Sequence, residues 1–146
     1  MAQALGKPDS AWEQQAEHLR AVIRENFWNK ATGTFRYLLD ADEDPARQEG
    51  FGHAFALLFG IATPEQARSV MAHQHVTPHG IACVWPSYAR YCDAAGTTFG
   101  RHSGTIWPQV NVAWSAALTS CGKPELAWTE IRLLATKAAR DSQVSE

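Results

Sequence analysis

The sequence predicts an all-α fold of helical hairpins with one small β-hairpin, and three observations carry that expectation. Apolar residues recur at steps of three and four along five separate segments. These segments are bounded by capping residues, helix-opening prolines and helix-closing glycines. The links between the second and third segments, and between the fourth and fifth, are short enough to force antiparallel neighbours.

Taken in order, Ser10-x-x-Glu13 is a capping box, and Trp12, Ala16, Leu19, Ile23 and Phe27 follow it on one helical stripe. Asn29-Lys30-Ala31-Thr32-Gly33 supplies a turn. Phe35, Tyr37 and Leu39 then alternate with their neighbours, which predicts the small hairpin. An acidic loop from Asp40 to Pro45 leads to Gln48-Glu49-Gly50 and a second helix marked by Phe51, Ala54, Phe55 and Leu58 and stopped at Gly60. Thr63-Pro64-Glu65-Gln66 starts a third helix that runs to about His73. Trp107-Pro108 opens a fourth, with Val110, Ala113, Trp114 and Ala117 on one face, and Cys121-Gly122 stops it. Lys123-Pro124 starts a fifth, with Ala127, Ile131, Leu134 and Ala138 facing inward. Residues 1–9 and 141–146 are expected to fray. Five such helices can close as a small bundle or stand as consecutive staves of a larger ring, and periodicity alone leaves both open.

Between Val76 and Thr105 the helical period disappears and Pro, Gly and aromatic residues concentrate. A connection this long inside a compact domain usually carries function, so binding residues are expected there. Six Trp, six Phe and three Tyr occur in the chain, several of them in loops, and flat apolar faces beside polar groups suit the C–H faces and hydroxyl edges of sugar rings. Core packing accounts for Trp12, Trp114 and Trp128 on helical faces. Loop residues Trp85 and Trp107 are the better candidates for ligand contact.

Composition removes several classes of function. The chain has 146 residues, 45% hydrophobic and 19% charged, as in a globular unit that can bury a core. Net charge is −2 and the basic residues are scattered, so no cationic stripe exists for nucleic acid. No apolar run reaches the roughly 18 residues of a membrane span, and the first twenty residues hold no signal-peptide core, which as written reads as cytoplasmic and leaves the compartment of a longer parent unknown. Cys83, Cys92 and Cys121 lack the spacing of a disulfide framework or a zinc site. His73, His75 and His79 invite a metal reading, but with no nearby Cys or carboxylate the expectation is no metal and no cofactor, with His73 instead meeting helix C-terminal carbonyls.

Arg101-His102-Ser103-Gly104-Thr105-Ile106-Trp107-Pro108 resembles the H-x-G-T-x-W-P signature that precedes an inner helix in six-hairpin glycosidases. These are relatives of glycogen-debranching enzymes, mannosylglycerate hydrolases and processing α-glucosidases. Gln48-Glu49-Gly50-Phe51-Gly52, Leu57 to Ile61, and His75 through Pro86 are similar in order and spacing to other segments of that superfamily. Arg101 stands where an aromatic Tyr is usual. The resemblance implies that the whole chain, 1–146, is one partial domain, the C-terminal part of an (α/α)6 toroid. Twelve helices with their connections need on the order of 300 residues or more.

The resemblance further implies an inverting glycoside hydrolase acting on an α-linked oligosaccharide or small glycoside, with two carboxyl groups held roughly 6.5 to 9.5 Å apart. The general acid falls upstream of this chain, and Glu146 is the candidate general base. Glu49, Trp85, Tyr88, Arg101, His102, Thr105 and Trp107 are the candidate substrate-binding residues. Thr105 is expected to cap the fourth helix, and Glu49 either faces the sugar or interacts with the first turn of the second helix. The alternative is a non-catalytic helical module for carbohydrate binding or protein interaction. Uncovered apolar faces predict self-association of the isolated piece, which is expected to be inactive alone.

Overall fold

In the computed structural model, which describes residues 10–95 and 102–140, helices dominate in the order the periodicity predicts. The first is α1 (Ser10–Phe27), and its C-terminal half packs beneath the short pair β1 (Trp28–Asn29) and β2 (Thr34–Phe35). Trp28 and Phe35 meet edge to face across that pair at 5.1 Å. After the acidic loop, β3 (Gln48–Glu49) runs directly into α2 (Gly50–Leu58), and α3 (Pro64–His73) follows. The Thr63 capping box at the start of α3 forms in full, with Gln66 reaching back to the Thr63 amide.

Two further strand pairs occupy the aperiodic region. β4 (Val76–Thr77) and β5 (Gly80–Ile81) close a tight turn, and β6 (Val84–Trp85) pairs antiparallel with β3. A single 3-10 turn, Ala89–Tyr91, comes next, before α4 (Pro108–Ser120) and α5 (Pro124–Arg140). The expected hairpin forms as β1–β2, and two strand pairs not foreseen from the sequence join it. The β3–β6 pair joins segments more than thirty residues apart through two residues on each side, too little to leave a local alternation signal.

The core lies between α2 and α4. Ala54 and Leu57 from α2 meet Val110, Trp114, Ala117 and Leu118 from α4, with Ile81 and Val70 sealing the ends. Trp114 is 1% exposed, which confirms its assignment to the core. Gly50 shows why the helices approach so closely at their starts, since a Cβ there would sit 2.6 Å from Val110 Cγ1. Helices α2 and α4 thus begin at the same end, while α1, α3 and α5 lie outside this inner pair. α5 packs along α4 through Ala127 and Glu130, as the short Cys121–Lys123 link requires. Trp12 and Trp128, assigned to the core from sequence, are instead 66% and 67% exposed, because nothing described covers the outer faces of α1 and α5.

Candidate functional site

The aperiodic segment forms a narrow patch of sheet that lashes together the starts of α2 and α4. Gly50 N–H donates to Cys83 O (2.9 Å), and Cys83 N–H donates to Thr105 O (2.8 Å). Val84 N–H donates to His102 O (3.1 Å), and Gly104 N–H returns to Val84 O (2.9 Å). Residues 82–85 therefore run between the segment that leads into α2 and the one that leads into α4. Glu49, Trp85, His102, Thr105 and Trp107 all come to one end of the inner helices by this route.

Buried amides hold the patch in place, and none of them was singled out from sequence. Asn111 on α4 is 0% exposed; its Oδ1 accepts from Ile81 N–H (2.9 Å), and its Nδ2 donates to Ile81 O (3.2 Å) and Trp107 O (2.9 Å). Gly80 lies against it with φ +113, and a Cβ there would meet Asn111 Oδ1 at 2.0 Å. Gln48 spans α3 and β4, its Nε2 donating to His73 O and its Oε1 accepting from His75 N–H, both at 2.8 Å. Buried His53 joins α2 to β2 through Phe35 O (2.9 Å) and to Gln74 (2.6 Å). Such polar groups sit in apolar stripes and look like breaks in the pattern, so only the rule that buried polar groups are paired could have flagged them.

The side chains of the candidates divide. Glu49 caps α2, its carboxylate accepting from Phe51 N–H (3.1 Å) and Gly52 N–H (2.5 Å), while it also lines an apolar cavity of about 250 Å³. Trp85 stacks on His75, rings parallel to within 3° at 4.2 Å. His102 leans on Trp107 at 4.6 Å and lines a second, more polar cavity of about 410 Å³ together with Tyr88, Arg90, Tyr91 and Ser103. Tyr37 belongs to the walls of both cavities. Tyr37 was expected within the strand run of the hairpin, but that strand ends at Phe35 and Tyr37 follows it; its role at a site was not read from sequence.

Thr105 does not cap α4. The cap position belongs to Trp107, which makes no side-chain cap bond, and the Thr105 hydroxyl turns to the Cys83 thiol instead. With two residues between Thr105 and the first helical residue, its side chain lies too far back to reach the free amides. Burial pushes the Cys83 thiol up, the Glu49 charge adds to this, and the Thr105 hydroxyl opposes it. His73 behaves as expected, with Nδ1 meeting Ser69 O at 2.8 Å. No group of three metal-ligating side chains occurs among the described residues. Arg101 and Glu146 lie outside the described residues.

Tyr88 is held by a strap between two loops. Its hydroxyl donates to Glu43, Arg47 binds Glu43 at 2.5 Å and donates to Pro86 O, and the Arg47 guanidinium lies 3.9 Å above the Tyr88 ring. Burial works to raise the Glu43 carboxyl, but hydrogen bonds from Tyr88 and Arg47 outweigh it and hold it below the usual carboxylate range. Burial and the Glu43 carboxylate push the Tyr88 hydroxyl up to about 12. Ser103 Oγ fixes the same loop by accepting from Tyr88 N–H at 2.6 Å.

The family described as the mannosylglycerate hydrolase MGH1-like glycoside hydrolase domain matches residues 1–146. The chain belongs to this family. The family is one of glycoside hydrolase domains. The chain is also similar to the probable alkaline/neutral invertase F of Arabidopsis thaliana, 25% identical over 114 residues, which cover 66% of this chain and 23% of that protein. It thus spans under a quarter of that relative's length. No solved structure matches it. Among the described residues no helix is long and apolar enough to cross a membrane.

Proposed function

We propose that this chain is the C-terminal part of an (α/α)6 barrel that hydrolyses an α-linked glycoside with inversion. The observation that carries the reading is the strand patch joining the starts of α2 and α4, which gathers Glu49, Trp85, His102 and Trp107 at one end of parallel inner helices. In such a ring the sugar sits over that end. His102 and Tyr91 offer hydrogen bonds and a ring face in the polar cavity, and Arg90, whose guanidinium lies 4.8 Å over Tyr91, stiffens its wall. Trp85, next to the cavity residue Val84 in β6, is braced by stacking on His75.

Glu49 positions rather than reacts, since both its oxygens accept amide hydrogens of the first turn of α2. The general base is assigned to Glu146, and the general acid to a carboxyl upstream of this chain, with the water between them attacking the face opposite the leaving group. Uncovered apolar side chains on α1 and α5 support the partial-ring reading, because a finished domain seldom leaves so much aromatic surface open. The isolated chain self-associates through those faces and does not turn over alone.

The test is saturation-transfer NMR of the chain with methyl α- and β-glycosides of several hexoses. Selective binding of an α-glycoside that disappears in His102→Ala supports the site. Binding to none of them overturns it. In a full-length parent, Glu146→Gln abolishes hydrolysis while leaving glycoside binding intact, and the first-formed sugar carries the inverted anomeric configuration. Glycoside binding with unimpaired turnover in that variant would remove Glu146 from the mechanism.

A further inference from the structure

We propose that the apolar cavity on the far side of Tyr37 receives an apolar aglycone, so that the preferred ligand is a glycoside carrying a small hydrocarbon or aromatic group. The inference rests on the reading above, in which the neighbouring polar cavity takes the sugar. Tyr37 stands in the wall of both cavities, which sets them side by side, and a ligand that passes this residue would span them as two lobes. Their chemistry differs sharply. On one side lie Tyr88, Arg90, Tyr91, His102 and Ser103, with hydroxyl, guanidinium and imidazole groups. On the other lie Ile23, Phe27, Phe35, Phe55, Ala56 and Ile61.

Exposed Arg36 stands at the rim of the apolar lobe, and the other two charged or imidazole side chains that border it, His53 and Glu49, have little left to offer a ligand. Both ring nitrogens of His53 are engaged, by Phe35 O and Gln74, and both Glu49 oxygens accept from amides of α2. What the lobe presents is hydrocarbon and aromatic surface. Its volume of about 250 Å³ has room for on the order of eight water-sized groups, which fits a hexyl chain or a substituted ring. A packed helix, 10–12 Å across with its side chains, does not fit that space. Tyr37 borders both cavities, so its side chain adjoins both parts of such a ligand.

Titration calorimetry of the whole chain with methyl and hexyl α-glycosides of each of the hexoses used above tests this. Burying each added methylene is worth about fourfold in affinity when complete, so even partial burial makes the hexyl compound at least about tenfold tighter. Phe55→Ser, on a residue already 40% exposed and so tolerant of change, brings the hexyl-to-methyl ratio toward one. Trp128→Glu, on the remote outer face of α5, leaves the ratio intact. Equal affinities within each methyl and hexyl pair overturn the inference while sparing the sugar reading. A ratio that survives Phe55→Ser, or collapses in Trp128→Glu, marks adsorption to exposed surface and overturns it as well. Binding of none of these glycosides removes the sugar reading and the inference together.

Discussion

The end of the molecule where α2 and α4 begin differs from its outer flanks in how polar and apolar groups are spent. At the inner end, the side chains of Gln48, Asn111, Ser103 and His53 each pair with backbone groups of neighbouring segments and tie the short strands and loops together. On the flanks, Trp12, Leu19, Phe59 and Trp128 stand 58% to 67% exposed. Polar pairing is concentrated where α2 and α4 begin, and apolar side chains stand uncovered on the flanks. An end built in this way resists rearrangement, because losing one buried partner strands the other.

The comparison can be broken most severely at Asn111. Asn111→Leu removes three hydrogen bonds and leaves the Ile81 amide buried without a partner, so urea unfolding should show a loss of about 3 kcal/mol. A loss below about 1 kcal/mol would mean that the patch is not held by this residue. Tyr88→Phe comes next, at about 1.5 kcal/mol for a charge-assisted bond to Glu43. The sign of its pH dependence is fixed by both partners. Glu43, lowered in the fold, adds stability above its ordinary value of 4.5, and that contribution is lost as pH falls through the lowered value. Tyr88, raised to about 12, adds stability below 10 that is lost as pH climbs toward 12. The deficit of the variant should therefore be widest between these limits and close at both extremes.

Glu130 sharpens the contrast from the other side. It is buried on α5 with one oxygen unpartnered, and burial raises its carboxyl. The fold therefore loses stability as pH rises from 4.5 through the raised value, since the unfolded chain ionises first. Glu130→Gln should gain about 1 kcal/mol at neutral pH, and thermal melts should show the gain shrinking toward zero in acid. Smallest of all, Trp128→Glu should change monomer stability by less than about 0.5 kcal/mol yet reduce self-association in sedimentation velocity.

What the sequence disclosed follows the same division. All five helices, the capping box at Thr63 and the stops ahead of Gly60 and Gly122 were legible because they depend on residues three or four apart. The motif order led to the family, and the loss of helical period between Val76 and Thr105 was legible, although the strand pairs that replace it there were not. The β3–β6 pairing and the locks at Gly80–Asn111 and Gln48–His75 were not legible, since each joins positions about thirty residues apart and depends on burial. Thr105 misled for a related reason. A threonine near a helix start suggests a cap, but the path of the chain placed Trp107 at the cap position and turned the hydroxyl to Cys83. Trp12 and Trp128 looked like core because their helical stripes are apolar, and a stripe does not show whether anything lies against it.

Amide chemical-shift mapping of the isotopically labelled chain during titration with a methyl α-glycoside that it binds tests the central claim most directly. Shifts clustered at 48–52, 84–91 and 102–107, with α1 and α5 silent, are the predicted result. Shifts confined to the exposed apolar residues of α1 and α5, with the strand patch unmoved, would contradict it.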